Sequence, residues 1–83
     1  MKKDKKLLRD LCLRIAKNLA RLRAERGLTF EALARRAGLH MRHIQRLEAG
    51  EANATLETIA RLADGLEVDP RVLVTKAPKR RVR

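Results

Sequence analysis

Apolar residues recur every three or four positions along most of the chain, which is the spacing that forms one buried face of an α-helix. The longest such stretch runs from Leu7 to Leu22, with charged residues largely between the apolar ones, and Gly27 follows it as a stop signal. A second, shorter stretch begins after Thr29, a residue suited to capping a helix start, and stops at Gly38. Two helices are therefore predicted in the first half of the chain.

The third predicted helix spans about residues 41–49 and has two dissimilar faces. Ile44 and Leu47, three positions apart, point inward, and Gly50 ends the helix. The opposite face is polar, basic and free of acidic residues; it consists of Met41, Arg42, Gln45 and Arg46.

A fourth helix is predicted after Thr55, a second candidate N-cap, and a short fifth helix after Asp69 and Pro70. Val72 and Leu73 of the fifth helix are expected to pack onto the core. The apolar face of the fourth helix consists of Leu56, Ile59, Ala60, Leu62, Ala63 and Leu66. Because the chain has a single Phe, no Trp or Tyr, and few Gly or Pro, its composition favours helices over strands, and an all-α fold is predicted.

A chain of 83 residues has room for one domain. We expect a basic N-terminal extension over residues 1–6, a helical domain over residues 7–75, and a basic, flexible tail over residues 76–83. No apolar run is long enough to cross a bilayer, and no signal-peptide core is present. A soluble protein of the cell interior, without a membrane partner, is the expectation.

The charge of the chain is strongly positive and unevenly distributed. Lys and Arg number 21 against 10 Asp and Glu, which gives a net charge of +11. Residues 51–74 reverse this balance with five acidic and two basic side chains, while the rest of the chain is basic. A polyanion would therefore be attracted to one part of the molecule and repelled by another.

The sequence lacks the residue sets that catalysis or metal binding requires. Cys12 is the single cysteine, and His40 and His43, although three positions apart, have no further ligand to complete a metal site. No Ser/His/Asp set, phosphate-binding loop or carboxylate pair is recognisable. We therefore expect neither an enzyme, nor a bound metal, nor a cofactor.

Four positions indicate a helix-turn-helix unit in the second and third helices. Ala34 is small enough for the two helices to cross closely, and Gly38 tolerates the positive φ of a tight turn. Ile44 and Leu47 lock the second helix of the unit onto the core. A helical hairpin could contain these residues by chance, but their combined spacing favours the helix-turn-helix.

The stretch from about Ile15 to Leu73 resembles the Cro/cI-type (XRE) helix-turn-helix family of phage and bacterial regulators. The segments LARLRAERGLTFEALARRAGL, HIQRLEAGEAN and TLETIARLADGLEVDPRVL carry the resemblance. It implies a five-helix, lambda-repressor-like domain with its helix-turn-helix at helices 2 and 3. It also implies a double-stranded DNA partner, a homodimer, and a place in the bacterial or phage-infected cytoplasm at the nucleoid.

The resemblance also implies roles for individual residues. It places base contacts at Met41, Arg42 and Arg46, with Gln45 and His43 close by, and an ion pair between Arg23 and Glu48. Arg42 is the foremost candidate, because a guanidinium can donate two hydrogen bonds to guanine. Phe30 stands where relatives commonly have a phosphate-binding Gln, so this contact would either come from backbone N–H groups at the helix start or be lost. The other expected DNA-backbone contacts are Thr29, Arg35, Arg36, Lys17 and Asn53.

Two alternatives stay open at this point. The stripe Leu7, Leu8, Leu11 and Cys12 also suits a protein partner, as in an antitoxin, with DNA binding secondary. A non-specific architectural DNA-binding protein is the other alternative. A dimer surface is expected either from these N-terminal leucines or from the fourth and fifth helices, near Leu66, Val68, Val72 and Leu73.

Overall fold

The computed structural model describes residues 2–77 of the chain. They form five helices, α1 (Lys2–Glu25), α2 (Phe30–Ala37), α3 (Met41–Glu48), α4 (Leu56–Leu66) and α5 (Arg71–Val74). No strand occurs between residues 2 and 77, so the all-α prediction is confirmed. Of the tail expected over residues 76–83, positions 78–83 lie outside the described residues.

Helix α1 is longer than the apolar pattern predicts. It starts at Lys2 instead of near Leu7, so residues 2–6, predicted as a separate extension, form its first turns. Lys is a good helix former, and Asp4 in the first turn meets the positive end of the helix dipole. The helix ends just before Gly27, which has a φ of 63°, as the sequence predicts.

Both predicted threonine caps are confirmed. Thr29 Oγ1 accepts a hydrogen bond from Ala32 N at 3.0 Å, and Thr55 Oγ1 accepts one from Thr58 N at 3.1 Å. Each hydroxyl satisfies an amide that has no partner within its own helix, which fixes where α2 and α4 begin.

Helix α5 begins one residue later than predicted, at Arg71 instead of Pro70. Asp69 nevertheless acts as the cap, because its Oδ1 accepts a hydrogen bond from Arg71 N at 2.9 Å. The Arg71 guanidinium also pairs with the same carboxylate, 2.8 Å from Nη2 to Oδ2. The side-chain and backbone hydrogen bonds from Arg71 lower the pKa of Asp69 to about 2.

The core is built from aliphatic side chains of all five helices. Leu56 and Ala60 were predicted to join it, but both are exposed, Leu56 to 85%. At 100° per residue Leu56 lies on the flank of the buried face of α4 and Ala60 lies nearly opposite that face, so the predicted apolar face was too wide. The fully buried apolar side chains are Leu19, Leu33, Ile44, Leu47, Leu62, Leu66 and Leu73.

The burial of Leu66 and Leu73 corrects one expectation about dimerisation. Both have 0% exposure, so neither is available to a second chain. Val68 and Val72 are partly exposed, and Leu7 and Leu11 are exposed. Of the side chains that the sequence suggested for a dimer surface, Val68, Val72, Leu7 and Leu11 are therefore the accessible ones.

Helices α2 and α4 cross at a point where both lack bulky side chains. A Cβ added at Gly65 would lie 3.1 Å from the backbone nitrogen of Ala37 and 3.2 Å from its Cβ. Such distances are tighter than ordinary van der Waals contact, so glycine is required here for the approach of the two backbones. This crossing fixes the C-terminal end of α2, where the turn to α3 begins.

A buried asparagine, which the sequence reasoning missed, ties the end of α5 to α1. Asn18 is fully buried, and its Nδ2 donates to the carbonyl oxygens of Leu73 and Thr75 at 2.8 and 2.7 Å. The carbonyl of Leu73 lies in the last turn of α5 and that of Thr75 follows the helix, so neither has an N–H partner within the helix. Asn18 thereby supplies hydrogen-bond donors to two carbonyls at the end of α5.

No helix within residues 2–77 is long and apolar enough to span a membrane.

Candidate nucleic-acid interface

Helices α2 and α3 are joined by a turn of three residues that begins with Gly38. Gly38 has a φ of 68°, and its carbonyl oxygen lies 3.5 Å from Nη1 of Arg61. A Cβ at Gly38 would come within 2.9 Å of that same nitrogen, which is the flexible end of an exposed side chain and can move away, so it is the positive φ that favours glycine here. The buried Ala34 and Ala37 complete the close packing of the unit.

Helix α3 separates a core-facing side from an exposed side. Ile44 and Leu47 are 0% and 1% exposed. On the opposite side, four exposed residues together with Glu51 line an open recess of about 440 Å³; we call these four, Met41, Arg42, Gln45 and Arg46, the outer face of α3. The structure therefore brings together four of the five predicted base contacts.

The fifth, His43, is separated from them. It is half-buried and does not line the recess. At 100° per residue it lies beside Leu47, on the flank of the buried side of the helix. His43 is thus set apart from the recess, and its contribution to base reading stays a prediction.

The outer face of α3 carries two arginines in different situations. Arg46 Nη2 lies 3.3 Å from the carbonyl oxygen of Glu51 and donates to it, which orients this guanidinium toward the loop after α3. Arg42 forms no ion pair or hydrogen bond with another side chain in residues 2–77. The only acidic residue of α3, Glu48, faces the other way, so the donors of Arg42 are free for an external acceptor.

Glu48 is paired with Arg23 of α1. Arg23 Nε donates to Glu48 Oε2 at 2.5 Å and Nη2 donates to Oε1 at 3.1 Å. The Arg23 side chain is 21% exposed and that of Glu48 only 9%. The pair joins α1 to the last turn of α3, and the hydrogen bonds that Arg23 donates to Glu48 raise the pKa of Arg23 above its ordinary value.

Phe30 stacks on this ion pair. The guanidinium carbon of Arg23 lies 4.0 Å from the centroid of the Phe30 ring, within the range of a cation–π contact. Arg23 Nη1 also donates to the carbonyl oxygen of Leu28 at 2.8 Å. The side chain of Phe30 therefore stabilises the position of Arg23. Both residues are named as candidates from the sequence, but this contact between them is not predicted there.

The residues expected to contact the DNA backbone are divided among several surfaces. The amides of Phe30 and Glu31, at the start of α2, have no partner within their helix. Thr29 caps that helix. Arg35 and Arg36 are exposed on α2, and Arg35 lies 3.5 Å from Glu31 in an exposed ion pair.

The remaining two candidates for DNA-backbone contacts are Asn53, in the loop after α3, and Lys17 of α1. Asn53 Oδ1 accepts a hydrogen bond from Cys12 Sγ at 3.1 Å, which places the loop after α3 against this helix. Lys17 lines a separate recess beside Lys76 and Ala77, so the structure does not bring it together with the outer face of α3.

A helical domain that holds one exposed, acid-free helix face on a packed core through a tight glycine turn is a helix-turn-helix DNA-binding domain. A family model described as a helix-turn-helix domain matches residues 14–75. The chain belongs to this helix-turn-helix family, of the Cro/cI (XRE) type. It is a DNA-binding transcriptional regulator, and the family is not one of enzymes.

Similar proteins agree with this assignment. The chain is 39% identical over 66 residues to an uncharacterized HTH-type transcriptional regulator, y4dJ of Sinorhizobium fredii, covering 80% of this chain and 86% of that protein. The restriction-modification controller protein C.AhdI from Aeromonas hydrophila superposes with a TM-score of 0.73 at 34% identity, covering 75% and 94% of the two chains. The hypothetical transcription factor NHTF from Neisseria gives a TM-score of 0.76 at 29% identity, over 80% and 76%.

Proposed function

We propose that this regulator binds a palindromic DNA operator as a homodimer, reads its sequence in the major groove with α3, and represses transcription by blocking polymerase. The similarity to a restriction-modification controller protein supports a regulatory role. The proposal goes beyond DNA binding in three respects: base specificity, two-fold symmetry and repression.

The observation that carries base specificity is the outer face of α3. Its side chains face away from the core, and the helix beneath them is fixed by Ile44, Leu47 and the Arg23–Glu48 pair. The free guanidinium of Arg42 has the shape to donate two parallel hydrogen bonds to guanine O6 and N7, worth about 1–3 kcal/mol against a wrong base. Met41, 44% exposed, offers an apolar contact such as a thymine methyl.

Contacts to phosphates set the orientation of such a helix. The free amides at the start of α2, next to Thr29, are positioned as anion donors because they carry the positive end of the helix dipole. Arg35, Arg36 and Asn53 are the further candidates from the described residues. These contacts supply affinity that falls with salt and carry no base preference of their own.

Selection of binding sites from random DNA tests specificity. The protein is expected to enrich two inverted half-sites about one helical turn apart, since the recognition helices of such dimers lie about 34–36 Å from each other. Arg42→Ala should lose the preference at one base pair of each half-site without changing the melting temperature. Arg71→Ala, which removes an exposed arginine of α5, is the matched control and should enrich the unchanged motif. Enrichment of the same motif by Arg42→Ala would refute its role.

The homodimer is tested by sedimentation at concentrations above and below those needed for operator binding. A monomer at every concentration, with and without operator, would remove the two-fold arrangement. Repression is tested by transcription from a promoter that overlaps the selected site, and unchanged transcript levels would contradict it.

One observation favours a second function, that of a protein-interaction module. Leu7, Leu8 and Leu11 are exposed to 60%, 49% and 42%, an apolar stripe on the N-terminal half of α1. If the protein associates with DNA only in a salt-labile, sequence-blind way and forms a stable complex with a protein partner, this second function replaces the first.

A further inference from the structure

The N-terminal half of α1 runs past the loop that follows α3. Cys12 Sγ donates to Asn53 Oδ1 at 3.1 Å, and a Cβ added at Gly50 would lie 3.3 Å from Cδ2 of Leu13. The loop over residues 50–53 is therefore in contact with α1 at Cys12 and Leu13. The helix continues from there for about ten more residues toward its start at Lys2.

Two cations extend from this contact along the same side of α1. Lys5 and Arg9 are four residues apart, both are exposed, and both line a recess of about 520 Å³ whose opposite wall is the loop from Gly50 to Asn53. Neither forms an ion pair with an acidic side chain within residues 2–77. Their charges are thus available to an external anion.

This recess adjoins the outer face of α3. The acidic Glu51 lines both recesses, so they adjoin there, with Arg42 and Arg46 on one side and Lys5 and Arg9 on the other. At about 1.5 Å per residue, Lys5 lies roughly 10 Å along the helix axis from Cys12. This length corresponds to about three base-pair steps of duplex DNA at about 3.4 Å each.

The charge of the segment fits a polyanion. Residues 2–13 contain five basic and two acidic side chains, and they precede the region that the family model matches, which begins at residue 14. Lys5 and Arg9 therefore lie outside the part of the chain that the family model describes, whereas the loop opposite them lies inside it.

We propose that Lys5 and Arg9 bind the phosphates of the duplex that flanks the half-site read by α3, and so lengthen the DNA footprint of the domain. This inference rests on the proposed function, because it takes the outer face of α3 as the surface that meets the major groove. The loop with Glu51 lies between the two contacts, and the helical extension acts as a rigid arm.

The test compares two double variants of the full chain on the duplex recovered by selection. Lys5→Gln/Arg9→Gln removes the recess cations, and Lys3→Gln/Lys6→Gln removes two cations of the same helix that do not line the recess. All four positions are exposed, so both variants should keep the wild-type circular dichroism and melting temperature. The readout is the slope of log Kd against log salt concentration.

Removal of the recess pair is expected to reduce the slope by about 1.8, at about 0.9 per phosphate contact, while the control pair changes it by less than half as much. The difference in slope between the two variants should disappear when the duplex is shortened so that it lacks the base pairs flanking the half-site. Equal effects of the two pairs, or no effect of either, would overturn the contact. If the wild-type protein enriches no motif at all, the proposed function itself fails, which is a distinguishable result.

Discussion

The Arg23–Glu48 pair offers the sharpest test of how the fold supports α3. Arg23→Met keeps the aliphatic stem of the side chain and removes the guanidinium, whereas Glu48→Leu removes the carboxylate. The first change leaves a carboxylate that is 9% exposed without its partner, and the second leaves a guanidinium that is 21% exposed and still bonded to the Leu28 carbonyl. The two single variants are therefore expected to differ.

The magnitude follows from these exposures. Breaking a buried pair by removing one partner costs about 3–5 kcal/mol, and the partial exposure here places Arg23→Met near the lower end, at about 3 kcal/mol. Glu48→Leu should cost less, about 1–2 kcal/mol, because the more exposed guanidinium can turn to water. The double variant should be more stable than Arg23→Met alone, since no unpaired carboxylate is left.

The assay is urea unfolding followed by far-ultraviolet circular dichroism, because the chain has no Trp or Tyr to report by fluorescence. A loss of about 3 kcal/mol lowers the midpoint of thermal unfolding by roughly 12–24 °C in a domain of this size. Stabilities of all three variants within about 0.5 kcal/mol of wild type would show that the pair behaves as a solvated surface contact. Specific DNA affinity should fall more than non-specific affinity, because the pair fixes the last turn of α3.

Three further predictions concern contacts away from this pair. Asn18→Ala should lower the free energy of unfolding by about 1–3 kcal/mol, measured by urea unfolding, because two carbonyls at the end of α5 lose their donor; Asn18→Asp should not restore it. Gly65→Ala should cost about 1–3 kcal/mol despite the better helix propensity of alanine, since the new Cβ meets the backbone of Ala37, and an equal or higher melting temperature would contradict this packing. The carboxylate of Asp69 should titrate near pH 2 by NMR, and its pKa should return toward 3.8 in Arg71→Gln. Because folding lowers this pKa, the capping contact is complete above about pH 4 and is lost as the pH falls through 2.

The helices and their ends were predictable because local chemistry decides them. Thr29 and Thr55 cap the helices that follow, and Gly38 takes the positive φ that its place in the turn requires. The composition of the outer face of α3 follows from the helical repeat alone, since Ile44 and Leu47 fix which side is buried.

The predictions that were wrong or incomplete depend on tertiary contacts. Leu56 is apolar but lies beside the buried face of α4, so periodicity alone counted it as core. Asn18 resembles an ordinary polar position of α1 until the end of α5 is placed next to it. The stacking of Phe30 on Arg23 likewise requires the ends of two helices to meet, which no local pattern encodes.

The side chains of the outer face of α3 contribute little to folding, since only Arg46 among them bonds to another described part of the chain, the backbone of the following loop. Evolution can therefore exchange these residues and redirect the protein to a new DNA sequence while its stability is nearly unchanged. For the same reason, the domain is a suitable starting point for engineered families of mutually orthogonal regulators, in which four positions are varied on one constant scaffold.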